Sequence, residues 1–140
     1  MTKNYKILGR YIKDMSSETP DLETYIFVRD NISKYQLNID INSKALKNKM
    51  IEVNTIIKFM DKQENKKKSY FEINYSTIIK VDDEIKEKKD LEKIILCDVQ
   101  IEIYSDLEKS LLDLLHNSGY PGVQFEKKID FIKLYNQRSN

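Results

Sequence analysis

From Tyr35 to Asn42 the chain alternates without a break: Tyr35, Leu37, Ile39 and Ile41 are apolar, and Gln36, Asn38, Asp40 and Asn42 between and after them are polar. A strict period of two fits an extended strand, because successive side chains of a strand point to opposite faces. It also calls for a sheet with one buried and one wet face, as antiparallel sheets commonly have. Ile51 to Phe59 and Ser69 to Val81 are less regular but rich in Ile, Val, Thr, Tyr and Phe, which suit a pleated surface. The stretch Asp61 to Lys68 between them is polar and reads as a hairpin loop. With an apolar strand-like run from Tyr5 to Met15, four strands precede any long helix.

After Val81 the pattern changes. Asp82 to Lys93 is densely charged, with Glu84 and Lys88 at helical i, i+4 spacing. Ile95, Val99, Ile103, Leu107, Leu111, Leu114 and Leu115 then fall on one helical face. That stripe is long for one small chain to cover alone, so Ile103, Leu107, Leu111 and Leu114 are the expected contacts between copies. Ser105-Asp106-Leu107-Glu108 has the form of a capping box, which predicts a break and restart near Tyr104. Asn117-Ser118-Gly119 supplies a left-handed stop and Pro121 forbids continuation. Asp130 is the expected N-cap of a final short helix through Leu134 and Tyr135. Thr19-Pro20 fits the start of a short helix through Val28 and fits a wrapped irregular segment equally well. The expected fold is α+β: a four-stranded antiparallel meander, a long C-terminal helix and a short final helix packed on one face, in one domain spanning residues 1–140.

Composition narrows the function. A chain of 140 residues can bury roughly two-thirds of the surface its unfolded form exposes, enough for its own core. Lys plus Arg number 24 against 23 Asp plus Glu, so no nucleic acid or membrane surface is called for. Lys66-Lys67-Lys68 lacks interleaved aromatics that would stack bases and reads as a solvated loop tip. No apolar run exceeds four residues, as in Ile94 to Cys97, which argues against a membrane span or a signal-peptide core. One cysteine, Cys97, cannot form an internal disulfide, in keeping with a reducing compartment. With one histidine and one cysteine, a Cys/His metal site would depend mostly on carboxylates, and the three glycines do not fall in a phosphate-binding spacing. His116, near a helix end among leucines, suits a capping role better than general-base catalysis. The expectation is a non-enzyme without cofactor or metal. Nine tyrosines and five phenylalanines favour recognition, although Phe59 and Phe71 are expected in the core.

Three motifs carry a resemblance. Tyr11-Ile12-Lys13-Asp14-Met15-Ser16-Ser17-Glu18-Thr19-Pro20 ends a strand in two carboxylates and a proline; Tyr70-Phe71-Glu72-Ile73 lies in a later strand; and Ser118-Gly119-Tyr120-Pro121 is followed by Ile129-Asp130-Phe131-Ile132-Lys133-Leu134-Tyr135. In this order they resemble the SecB family of bacterial protein-export chaperones, from about Tyr5 to Tyr135. The resemblance implies a cytoplasmic, ATP-independent holdase, a homotetramer built as a dimer of dimers, that keeps precursor proteins unfolded and passes them to the motor SecA.

Carried over residue by residue, it places the motor-facing surface on Asp14, Glu18, Tyr70 and Glu72. Client contact falls on Leu37, Ile39, Ile41, Phe131, Leu134 and Tyr135, each of which is equally consistent with plain core. Strict alternation would put Asp14 beside Ile12 and opposite Tyr11. Several departures stand beside the match. Val99-Gln100 and Tyr104-Ser105 replace proline-containing pairs, Ser76-Thr77 replaces a glycine pair, Lys127-Lys128 stands where a proline is usual, and the chain is near neutral where members are acidic. The alternatives are a SecB-like chaperone dedicated to a toxin-antitoxin pair and a small enzyme using Asp14 and Glu18 as a carboxylate pair.

Overall fold

The computed structural model describes residues 4–62, 67–125 and 128–138. Lys66, in the polar loop, and Lys127 lie outside them. Four strands form one antiparallel sheet: β1 (Tyr5–Glu18), β2 (Tyr35–Ala45), β3 (Met50–Asp61) and β4 (Tyr70–Val81). The spatial order is β1-β4-β3-β2. The expected meander therefore holds for β2, β3 and β4, while β1 pairs with β4 at the far edge. The connection that carries the chain across holds helix α1 (Leu22–Asn31). Of the two readings of this segment, the helix is the correct one. Its cap is Asp21, whose Oδ1 accepts from the Thr24 amide at 2.8 Å, because the Thr19 hydroxyl is engaged with Ser69 Oγ at 2.7 Å.

Residues at odd positions of β3 and β4 face the helices. Ile51, Val53, Ile57 and Phe59 on β3 lie opposite Ile79, Thr77, Ile73 and Phe71 on β4, and all are buried. Against them lies a helical rod made of α2 (Lys88–Lys93), a π turn at Ile94–Asp98 and α3 (Val99–Asn117). Val99, Ile103, Leu107, Leu111 and Leu115 have no exposed surface. Three of the four residues expected between copies, Ile103, Leu107 and Leu111, thus belong to the core of the single chain. The sheet offers a second apolar surface that their stripe fits, so no partner is needed to cover them. Leu114 is half-buried beside this core.

The rod does not break at Tyr104, and Ser105 is an exposed residue inside α3 rather than its cap. The irregularity lies earlier. In the π turn the Val99 amide reaches back five residues to the Ile94 carbonyl. The fully buried Gln100 supplies what the turn needs: Nε2 donates to the Ile95 carbonyl at 3.1 Å, and Oε1 accepts from Thr55 Oγ1 at 2.8 Å. A buried amide in a helix is tolerated only when paired in this way. Residues 82–87 precede the rod without being helical, so Glu84 and Lys88 form no helical pair. Ile85 packs on the core there and its amide bonds the Asp82 carbonyl.

α3 ends as its residues suggest. Gly119 has φ of 108°, its amide bonds the His116 carbonyl, and the Tyr120 amide bonds the Leu115 carbonyl, the pattern of a Schellman stop. His116 does not cap the helix; its Nε2 lies 3.0 Å from the Val123 carbonyl and ties down the following loop. α4 (Phe131–Arg138) starts at Asp130, whose Oδ1 accepts from the Lys133 amide at 3.0 Å. Three side-chain ties join β1 to α3 and its end: Tyr5 Oη to Glu102 at 2.6 Å, Arg10 to Asp106 at 3.0 Å, and Ser17 to Ser118 at 2.6 Å.

Two backbone positions generate opposite expectations. A Cβ at Gly119 would sit 2.7 Å from the Tyr25 ring, in addition to the unfavourable φ. Gly119→Ala should lower stability by about 2 kcal/mol or more in urea unfolding. At the β2–β3 turn, Asn48 and Lys49 both have positive φ, 62° and 61°. Lys49→Gly should raise stability by about 1 kcal/mol. Gln100→Leu, which strands the Thr55 hydroxyl and the Ile95 carbonyl, should cost about 1–3 kcal/mol.

Candidate functional site

Two surfaces, on opposite sides of the sheet, bring the sequence-derived residues together. The first lies at the β2 edge, on the helix side. Leu37, Ile39 and Ile41 face the helix layer, opposite Phe59, Ile57 and Thr55, and are only partly buried because β2 lies beyond the main reach of α3. Leu37 and Ile39 share a groove of about 490 Å³ with Ile129 and the exposed Leu134 of α4. Ile41 stands apart, in a smaller pocket of about 190 Å³ with Ile95 and Leu96. Phe131 is not on this surface: it is 4% exposed and packs edge-on against Tyr104, with ring centroids 5.4 Å apart. The amphipathic α4 needs one anchor toward the rod, and Phe131 is it. Tyr135 is half-buried and its hydroxyl donates to the Lys89 carbonyl at 3.4 Å, which fastens α4 to α2.

A wider cleft beside this groove escaped the sequence reading. It measures about 810 Å³ and adjoins the first groove through Leu37 and Ile129. Tyr35, Phe59 and Phe125 line it, with ring centroids 5.5 Å apart for Tyr35–Phe59 and for Phe59–Phe125. Val123 and Phe125 form an alternating apolar pair just after Pro121, a local signal, but only the fold brings them over β2. Phe71 and Tyr120 extend the aromatic cluster inward. Tyr35, Phe59, Phe71 and Tyr120 are nearly covered, and the half-buried Phe125 is the ring of this cluster that stays partly open.

The second surface is the opposite face of the sheet. A bulge between Ile12 and Asp14 changes the phase of β1, so Ile12 stays opposite Tyr75 while Asp14 lies opposite Asn74. Asp14 is thereby on the face of Tyr11, not that of Ile12 as strict alternation would have it, since one extra residue reverses the pleat. Ser16 then pairs with Glu72, and Glu18 with Tyr70. The four residues Asp14, Glu18, Tyr70 and Glu72 therefore share one face, along the alternate register pairs Asp14–Asn74, Ser16–Glu72 and Glu18–Tyr70.

The charges on this face are mixed. Glu72 faces Lys58 across the β3–β4 ladder, with Nζ 3.3 Å from Oε1. Lys13, at the bulge, reaches Glu52 at 3.0 Å, and Ser76 Oγ donates to the same oxygen at 3.4 Å. The hydrogen bond from Lys13 holds the Glu52 carboxyl below the usual carboxylate range. Asp14 and Glu18 are exposed and form no ion pair among the described residues. No three His, Cys, Asp or Glu among the described residues gather as a metal site. Burial pushes the Cys97 thiol up, away from the reactive thiolate.

The family model for preprotein translocase subunit SecB matches residues 1–140. The chain belongs to the SecB family. A relative named as a protein-export protein SecB, from Pelagibacter ubique (strain HTCC1062), is 66% identical over the full length of both chains. The protein-export protein SecB of Parvibaculum lavamentivorans is 25% identical, covering 95% of this chain and 77% of that one. Among solved structures, a Mycobacterium tuberculosis SecB-like chaperone in complex with a ChAD peptide from the HigA1 antitoxin has a TM-score of 0.64 at 10% identity, covering 89% of this chain and 91% of that one. That likeness speaks to the fold. Family and relatives together make this an export chaperone of the SecB type.

Two α4 residues separate core from surface. Phe131→Ala should destabilise by about 3 kcal/mol, as for other buried aromatics. Leu134→Ser, 50% exposed in the wild type, should change stability by no more than about 0.5 kcal/mol. Chemical unfolding of both variants checks the assignment.

Proposed function

We propose that this SecB-family chain is a cytoplasmic holdase that binds unfolded precursor polypeptides without nucleotide and delivers them to the export motor SecA. The open apolar surface along β2 carries this reading. Leu37, Ile39 and Leu134 in the groove and the half-buried Phe125 in the adjoining cleft leave apolar side chains partly uncovered beside a complete core, and apolar patches of this kind mark binding sites. Unfolded chains share exposed apolar side chains, so burial alone recognises them. Ile41 extends the same edge. Among the described residues no helix is long and apolar enough to cross a membrane.

Delivery to SecA rests on the outer face, where Asp14, Glu18, Tyr70 and Glu72 come together. Acidic groups on a flat, open sheet suit complementary recognition of a cationic partner segment. Assembly as a dimer of dimers now rests on other residues than the α3 stripe. β1 is an edge strand whose Leu8, Tyr11, Ile12 and Met15 are each exposed by 42% or more. A long edge of this kind is a template for pairing with a second copy. The toxin-antitoxin alternative is the less favoured: the relative identical at 66% over its whole length is named for protein export.

The wild-type chain should delay refolding of a slow-folding precursor without nucleotide, and changing from low to physiological salt should alter the delay little. Ile39→Ser or Leu134→Ser should shorten the delay with unchanged circular dichroism and solution mass. Reversal of Asp14, Glu18 and Glu72 to lysine should weaken SecA binding and spare the delay. Refolding at the unassisted rate in excess chaperone would refute the holdase, and equal loss of both activities in the triple variant would refute a separate motor surface.

A further inference from the structure

The four motor-facing residues are not equal in charge. Asp14 and Glu18, at the β1 edge, form no ion pair among the described residues, whereas Glu72 is already held by an ammonium group of its own chain. Lys58 and Glu72 are direct register partners, their charged atoms 3.3 Å apart, with side chains 44% and 35% exposed. The pair lies in the row Asn38–Lys58–Glu72–Ser16, and Glu18 and Asp14 flank Ser16 on the next strand. A cation offered to Glu72 must therefore displace Lys58 or accept its repulsion. The exposed pair contributes little to folding, so its main consequence is for what docks on the face.

We infer that Lys58 is an affinity-setting residue of the outer face: it occupies Glu72 and so attenuates the binding of a cationic segment of the motor. This rests on the reading of Asp14, Glu18, Tyr70 and Glu72 as the motor-facing surface. The occupant is a lysine- or arginine-bearing stretch of protein, because the groups beside Glu72 that form no ion pair among the described residues, Asp14 and Glu18, are carboxylates. Lys13 turns to Glu52 rather than to its neighbour Asp14, so the attenuation acts on Glu72 alone.

The test is titration of purified SecA with the full chain at low and physiological salt. Lys58→Met keeps the apolar stem of the side chain and removes the charge. It should tighten binding by roughly three- to tenfold at low salt and steepen the salt dependence. Lys80→Met removes the same charge at a distant outward position of β4 and should change affinity less than twofold, by this same reasoning. Adding Glu72→Gln to Lys58→Met should abolish the gain. Unchanged or weaker binding of Lys58→Met, with wild-type binding intact, would overturn the inference, as would an equal gain from Lys80→Met. Absence of SecA binding by the wild type would overturn the motor reading itself and the inference with it. Circular dichroism and precursor holding should match the wild type in both lysine variants.

Discussion

The contact between α3 and the odd-numbered face of β3 and β4 is the one on which the rest of the molecule depends. Ile57, Ile73 and Ile79 from the sheet and Ile103, Leu107, Leu111 and Leu115 from the helix are completely buried against one another. Each such side chain contributes about 1.5–3 kcal/mol relative to exposure. One helix layer covers one side of a sheet, and the placement of both candidate surfaces comes from that sidedness. The strand that α3 does not fully reach, β2, keeps apolar side chains partly open. The side it does not touch at all keeps the carboxylates.

Two departures from regular geometry place the side chains that matter. The bulge at Lys13 gives β1 an extra residue and turns Asp14 outward to join Glu18, Tyr70 and Glu72. The π turn at Ile94–Asp98 fits an extra residue into the rod while Ile94, Ile95 and Val99 all stay on the core. Gln100 makes that turn possible by satisfying a carbonyl inside the protein and a hydroxyl from β3. Bulges and π turns are both local insertions that re-aim the side chains beyond them.

The apolar groove and the polar face lie on opposite sides of the same sheet. A polypeptide in the groove and a partner on the outer face would therefore not compete for side chains. The two surfaces also offer different forces to a partner: apolar burial, which salt hardly affects, and charge complementarity, which salt screens. Lys58 belongs only to the second.

Much of this was legible in the residues. The alternation from Tyr35 to Asn42 marked β2 and its faces, Gly119 and Asp130 marked a helix stop and a helix start, and the short motifs around Asp14, Glu72 and Phe131 pointed to the SecB family. These features are local, set by pleat, capping geometry and the φ that glycine permits. The position of β1 beside β4, the bulge at Lys13, the ownership of the Ile103–Leu107–Leu111 stripe and the burial of Phe131 were not legible. Each depends on which surface meets which. An apolar stripe states only that it must be buried, and whether its cover is the chain's own sheet or a second copy is decided when the layers pack. The aromatic cleft shows the same limit: Tyr35, Phe59 and Phe125 are far apart along the chain, and only tertiary structure makes them one wall.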